Sequence, residues 1–299
     1  MHLGNNQERM DTMKEKSQYK RYTRSRLGSV LIFIFLSVMG LISVLPMIYC
    51  VCTAFKPLDE LLVFPPRFFV HRPTLENFTI IPSLLGSLHV PFSRYIFNSF
   101  FVTIITTLLQ IIVATAAAFV FSKTKIKGRI VIFLVVQFSL LYNGQTLGIP
   151  QYVILNWMRI IDTYLVYILP AIPSSMGVFL IKQYMDASIP DTLIEAAKID
   201  GASLIRTYHS IVMPITKPAW MTLFLFAFQS MWSSMGSGTI FSEELKTLPY
   251  VMSSVAAGGI ARAGAAMAVT VILLIPPVVV YFISQSNVME TMSSAGMKG

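Results

Sequence analysis

Residues 97–122 read FNSFFVTIITTLLQIIVATAAAFVFS and contain no Asp, Glu, Lys or Arg. A helix needs about 20 mostly apolar residues to cross the hydrocarbon core of a bilayer, which is about 30 Å thick. Five further uncharged stretches of this kind occur, at residues 28–54, 130–147, 164–181, 219–235 and 263–284. The sequence therefore predicts an all-α membrane protein with six transmembrane helices.

The overall composition supports this prediction. Hydrophobic residues make up 55% of the chain and charged residues 12%, about half the charged fraction of a soluble domain. The formal net charge of +9 would suggest nucleic acid in a soluble protein, but the positions of the basic residues explain it here. We therefore expect membrane lipid, and not nucleic acid, around this chain.

Basic residues also predict the orientation. With six helices, 16 of the 23 Lys and Arg residues fall on the side of the N-terminus, and cytoplasmic loops carry such an excess. Both termini are then cytoplasmic. The predicted organisation is a basic arm at 1–27, a six-helix transmembrane domain at 28–287 and a cytoplasmic tail at 288–299.

The predicted spans lack the groups that would power transport. Proton-coupled carriers usually place ionisable residues inside the bilayer, and the chain has no G-x-x-x-x-G-K-[ST] phosphate-binding loop. The four His residues form no recognisable metal-binding or catalytic set. We therefore expect no catalytic residue, no metal site and no enzyme activity, and we expect another subunit to supply the energy.

The longest predicted cytoplasmic loop, residues 182–218, reads KQYMDASIPDTLIEAAKIDGASLIRTYHSIVMPITKP. Pro190 suits the first position of a helix, and Gly201 suits its left-handed end. Ser203 can cap a second short helix, which Pro214 and Pro218 end. The loop is predicted to form two short helices joined by a tight turn.

Two interpretations of this loop follow from the residues alone. A short helix with small apolar residues and a carboxylate fits a groove on a partner protein. The alternative is an amphipathic helix on the lipid surface, but such helices favour bulky apolar anchors and a basic polar face. The small residues and mixed charge favour docking to a protein.

The same loop resembles the EAA loop of binding-protein-dependent permeases of ABC importers. The pattern is E-A-A-x-x-D-G-A, followed ten residues after the glycine by I-x-x-P. The matching residues are Glu195, Ala196, Ala197, Asp200, Gly201, Ala202, Ile211 and Pro214.

The resemblance covers nearly the whole chain and is greatest to the sugar-permease branch, which includes the smaller membrane subunit of the maltose transporter. Matching positions include Phe55-Lys56, Asn77-Phe78 and Asn98-Ser99. The chain departs from the branch at 231–234, which reads MWSS where Trp-Asn is frequent, and at 288–292, which reads VMETM. The first departure concerns pathway contacts, and the second concerns contacts of the C-terminal tail with the ATPases.

The resemblance implies a type I ABC importer permease in a bacterial plasma membrane. Its partners would be a second homologous permease, a dimer of ATP-binding cassette ATPases and an extracytoplasmic solute-binding protein. The chain itself would hold no cofactor, because the ATPases bind ATP and Mg. Glu195 and Gly201 would carry the docking role, and the loop 236–262 would contact the binding protein.

A carbohydrate is the expected solute. Sugars are held by hydrogen-bonding groups beside aromatic faces, and candidates to line the pathway are Gln137, Tyr142, Asn143, Gln229 and Trp232, with Gln145 beside them. Polar residues within spans also join helices to each other, so this alternative stays open for each of them. Two further alternatives are a permease of the same fold for another solute, such as a glycerol phosphate, and an ATP-independent carrier or channel.

Overall fold

A computed structural model describes residues 26–84, 90–142, 147–236 and 238–296. Every regular element in these ranges is helical. The described residues form two units, one ending at Tyr49 and the other beginning at Cys50. The first unit consists of most of helix α1, Arg26–Ala54, whose side chains from 29 to 48 are exposed. An exposed helix this apolar fits a lipid environment.

The second unit contains four long helices and several shorter ones. Its first part contains α2 Leu58–Leu61, α3 Glu76–Thr79, α4 Ile81–Leu84, α5 Phe92–Lys123, α6 Arg129–Ser139 and α7 Gly148–Trp157. Next come α8 Leu165–Ile168 with a 3-10 turn at Leu169–Ala171, α9 Ser175–Ser188 and α10 Asp191–Ile199. The last part contains α11 Leu204–Thr207, a π-helical turn at Tyr208–Val212, α12 Met213–Ile215, α13 Lys217–Trp232, α14 Leu248–Ala256 and α15 Ala263–Gly296.

Three helical stretches are long and apolar enough to cross a membrane unbroken, namely Leu27–Ala54, Phe92–Lys123 and Ile260–Met289. Two bent pairs qualify when each pair is taken as one span. Helix α6 has 11 residues and rises about 16 Å at 1.5 Å per residue, so it is too short to cross alone. The predicted span at 130–147 is therefore not one continuous helix within the described residues, and the count of six spans stays a prediction.

The fourth predicted span, residues 164–181, is bent and not one straight helix. A bend of 41° separates Leu165–Ala171 from Ser175–Ser188, where Pro170 and Pro173 lie. Ser174 caps the second part, because its hydroxyl accepts from the backbone N–H of Gly177 at 3.0 Å.

Helix α9 continues to Ser188, two turns beyond the predicted end at 181. Lys182 pairs with Asp186 one turn later at 2.7 Å, and Met185 and Ile189 are buried. An ion pair at this spacing and a buried apolar stripe both extend a helix. The predicted loop therefore begins as helix.

Helix α5 is at the centre of the second unit, where it packs against α9 and α13, and α13 also packs against α15. One buried cluster joins α5, α9 and the start of α13 through Ala118, Ile181, Met185, Val212 and Leu223. Small residues such as Ala118 let membrane helices approach closely.

Candidate functional site

Helix α10 ends in a Schellman turn. The N–H of Ala202 donates to the Ala197 carbonyl at 2.9 Å, and the N–H of Gly201 donates to the Lys198 carbonyl at 3.1 Å. Gly201 has φ of +76°, a conformation that glycine adopts without the cost other residues incur. The predicted glycine stop is thus confirmed.

The second predicted cap is also confirmed, because the Ser203 hydroxyl accepts from the Arg206 N–H at 3.3 Å. Pro190 lies one residue earlier than predicted, at the N-cap of α10. The second helix runs from Leu204 to Ile215, and a 78° bend separates it from α13. We call residues 190–215 the docking segment, after the role predicted for them.

The structure places most of the motif residues at the surface of the docking segment. Glu195, Ala196, Asp200, Gly201 and Pro214 are exposed, Ala202 and Ile211 are half-buried, and Ala197 is buried. Ala197 packs against the rest of the protein. The exposed carboxylates of Glu195 and Asp200 and the Gly201 turn therefore remain available to a partner.

Three bulky apolar residues that sequence reasoning missed lie on both sides of the Gly201 turn. Ile199 is 86% exposed, Leu204 63% and Ile205 74%. Their position on either side of Gly201 was visible in the sequence. Apolar residues beside a predicted turn are, however, usually assigned to the core, and so their exposure was not predicted. We call these three residues the apolar patch.

Lys123, the last residue of α5, joins the docking segment to the helices. Its ammonium donates to the Ile189 carbonyl at 2.5 Å and lies 2.8 Å from Asp191 Oδ1. The hydrogen bond from Lys123, together with its charge, holds the pKa of the Asp191 carboxyl below its ordinary value. The Lys123 side chain is 5% exposed, so both contacts are shielded from water on the lysine side.

A second connection reaches deeper into α5. The hydroxyls of Tyr208 and Thr115 lie 2.6 Å apart, and the Tyr208 ring lies 5.6 Å from that of Phe119. Thr115 can give its hydrogen to the Ile111 carbonyl at 2.7 Å, and Tyr208 then donates to Thr115. Tyr208 begins the π-helical turn, a feature frequent at functional sites.

Residues 244–248, within the predicted loop 236–262, are held by the Asn98-Ser99 pair. Asn98 is fully buried and donates to the carbonyls of Glu244 and Lys246, each at 2.8 Å. Ser99 accepts from the N–H of Leu248 at 2.7 Å. Two matched family positions therefore hold residues 244–248. Leu248 is buried, and contact of the loop 236–262 with a binding protein stays a prediction.

The matched positions Lys56 and Asn77 contact each other. Asn77 donates to the carbonyls of Ala54 and Lys56 at 2.9 and 2.7 Å. Glu60 accepts from the backbone N–H of His71 at 2.9 Å. These contacts explain the polar residues of the pattern at 55–78 as structural, because they satisfy buried polar groups of the loop.

The described candidate pathway residues differ in their exposure. Trp232 is buried and its indole N–H donates to the Leu273 carbonyl at 2.8 Å, which joins α13 to α15. Gln137 is half-buried, Tyr142 and Gln229 are exposed, and Asn143 and Gln145 lie outside the described residues. A pathway role for this set stays a prediction.

Comparisons with known proteins indicate the family of the chain. No family model matches the chain. The chain is 30% identical over 271 residues to a putative ABC transporter permease of a Caldicellulosiruptor strain, covering 89% of this chain and 96% of that protein. It is 24% identical to an inner membrane ABC transporter permease of Escherichia coli, covering 93% and 98% of the two chains.

Two further comparisons concern the transported solute and the fold. An arabinooligosaccharide transport system permease of Halalkalibacterium halodurans is 25% identical, over 94% of this chain and 100% of that one. A solved bacterial ABC transporter that imports the acidic polysaccharide alginate matches with a TM-score of 0.72 at 21% identity, over 89% of this chain and 98% of that one.

The described helices define an all-α membrane protein, and segment 190–215 exposes a capped helix turn at its surface. The chain belongs to the family of ABC transporter permeases.

Proposed function

We propose that this chain is one of two membrane subunits of an ATP-driven importer for a carbohydrate, and that its docking segment binds an ATPase. The observation that carries the proposal is the exposed apolar patch, Ile199, Leu204 and Ile205. It lies at the Schellman turn of the docking segment, and Asp191 and Tyr208 of the same segment contact α5. Buried apolar anchors supply most of the energy of such contacts.

The contacts suggest how motion is transmitted. When ATP closes the ATPase pair, the docking segment is displaced with it. Lys123 and Thr115, which contact Ile189 and Tyr208 respectively, pass the displacement to α5. Because packed helices shift between discrete arrangements, α5 can move with its neighbours and open the pathway to the other side.

The remaining partners follow from the family, and the orientation of the chain follows from the charge pattern. A second permease completes the pathway, the ATPases bind ATP and Mg, and an extracytoplasmic binding protein delivers the solute at the loop 236–262. Phe241 in that loop is 62% exposed and suits such a contact. Both termini are cytoplasmic in the bacterial plasma membrane, and the chain is non-catalytic. Relatives named for polygalacturonan and arabinooligosaccharide transport support a carbohydrate.

Pull-down of the ATPase from native membranes tests the docking role. Ile199→Asp, Glu195→Arg and Gly201→Val should each lose the ATPase while the chain stays inserted. Ile126→Asp is the matched control, because Ile126 is 54% exposed on the same predicted side but outside the docking segment. Retention of the ATPase and of uptake by all three variants would refute the assignment.

A further inference from the structure

A cavity of about 440 Å³ lies beside α7, the 165–171 segment and the end of α13. Ligand pockets for small molecules have volumes of roughly 300–1,000 Å³, so the cavity is large enough for a sugar unit. We propose that it binds a neutral, polyhydroxylated solute. The proposal rests on the proposed carbohydrate-import function for its biological role, and it narrows the class of solute.

The lining combines polar groups with aromatic faces. The polar lining residues are Gln151, Tyr152, Tyr167, Ser234 and Thr239. The hydroxyls of Tyr167 and Thr239 donate to the carbonyls of Leu245 and Gly236, so they can only accept from a solute. A sugar presents hydroxyls at its edge and C–H groups on its faces. Tyr residues suit both, because each has an apolar ring and a polar tip.

The apolar part of the lining includes Val166, Pro170 and Met231. These residues give the cavity a surface against which C–H groups can lose water. Hydrogen-bonding groups and apolar surface in one concave site are the usual composition of a small-molecule pocket.

The charge of the lining excludes one class of solute. Of the described residues that line the cavity, none is Asp, Glu, Lys, Arg or His. A phosphate or carboxylate bound here would meet no positive partner among these residues, so the water it lost on binding would not be replaced by an ion pair. The cavity therefore favours a neutral saccharide over a glycerol phosphate or an acidic sugar.

The cavity wall is held in place by close contacts. Gly236 has φ of +62°, and a Cβ at that position would lie 2.5 Å from the Tyr167 hydroxyl. Thr239 is fixed because its carbonyl accepts from the Asp162 N–H at 3.0 Å. A wall that is fixed before binding loses less entropy when the ligand enters.

Binding to the full-length chain in phospholipid nanodiscs tests the proposal, by equilibrium dialysis with mass-spectrometric detection. The neutral probes are arabinotriose, cellobiose, maltotriose and melibiose, and the anionic probes are sn-glycerol 3-phosphate and digalacturonate. At least one neutral probe should bind, and neither anion should. Gln151→Leu and Tyr152→Ala should each weaken binding about tenfold or more, because each removes a hydrogen-bonding group from the site.

Val153→Ala is the matched control, because Val153 follows Tyr152 on α7, is 59% exposed and does not line the cavity. It should bind like the unmodified chain. The proposal is overturned if no neutral probe binds, if an anion binds as tightly, or if both cavity variants bind normally. These outcomes leave ATPase docking untouched, and loss of docking would leave saccharide binding untouched, so failures of the two proposals are distinguishable.

Discussion

Lys123 Nζ lies 2.8 Å from Asp191 Oδ1, so the end of one apolar helix is joined to the first residue of α10. The Lys123 side chain is buried, whereas the Asp191 side chain is 81% exposed. An ion pair so open on one side contributes little by itself. The stronger contact is the one from the same ammonium to the Ile189 carbonyl at 2.5 Å.

Lys123→Met tests this junction. The change leaves the Ile189 carbonyl without this donor, and a hydrogen bond from a charged group contributes about 1.5–3 kcal/mol. We expect a lower thermal midpoint, measured by tryptophan fluorescence, and weaker coupling of ATP hydrolysis to uptake. Lys125→Met is the control, since Lys125 is exposed two residues further on. Equal midpoints for the two variants would contradict the assignment.

Substitutions at Gly201 separate backbone strain from crowding. A Cβ there would meet no atom within 4 Å, so only the positive φ penalises a side chain, by about 1–2 kcal/mol. Gly201→Val should therefore reduce ATPase retention in the pull-down, whereas Gly201→Asn should retain much more, because Asn tolerates this conformation. If the two variants lost the ATPase equally, strain would not be the cause.

Asn98→Leu should loosen the loop 236–262. The variant removes both donors to the Glu244 and Lys246 carbonyls and the acceptor of the Tyr164 hydroxyl, which donates to Asn98 at 2.7 Å. Each buried group left unpaired costs about 1–3 kcal/mol. We expect faster maleimide labelling of a cysteine placed at Thr247, which is 3% exposed.

The matched control for that labelling experiment is Asn156→Leu, an identical change at an exposed position on α7. It should leave the labelling rate of the Thr247→Cys chain unchanged. Slow labelling in both variants would show that Asn98 does not hold the loop.

The Asp162 carboxylate predicts acid sensitivity at the same loop. Hydrogen bonds from the Ser242 hydroxyl and N–H, and from the Phe241 N–H, hold the pKa of Asp162 below its ordinary value of 3.8. The stabilisation is therefore complete above that ordinary value and is lost as the pH falls through the lower folded pKa. The thermal midpoint of the unmodified chain should therefore decrease as the pH falls below 3.8.

The measurement is the difference in thermal midpoint between the unmodified chain and Asp162→Asn as a function of pH. The difference should be largest near neutral pH and should close in strong acid. Glu76→Gln, an acid-to-amide change at an exposed position, is the control and should give a smaller difference. A difference for Asp162→Asn that persists unchanged into strong acid would refute the prediction.

Much of the docking segment could be predicted from local chemistry. The Gly201 stop and the Ser203 cap depend on backbone sterics and on hydrogen bonds within four or five residues. The long apolar stretches likewise depend on composition alone. The motif residues were found by resemblance, and the structure shows that Glu195 and Asp200 are exposed while Ala197 is buried.

Other features could not be predicted because they depend on residues distant in sequence. Lys123 lies 68 positions before Asp191, and Asn98 lies 146 positions before Glu244. The exposure of Ile199 and the burial of Leu248 depend on which helix packs beside each of them, as does the cavity around Tyr152 and Tyr167. The sequence by itself determined an apolar helical membrane protein and its capped turn, since those follow from local interactions. Only the tertiary structure decided which side chains are exposed and which residues meet, because those depend on packing across the chain.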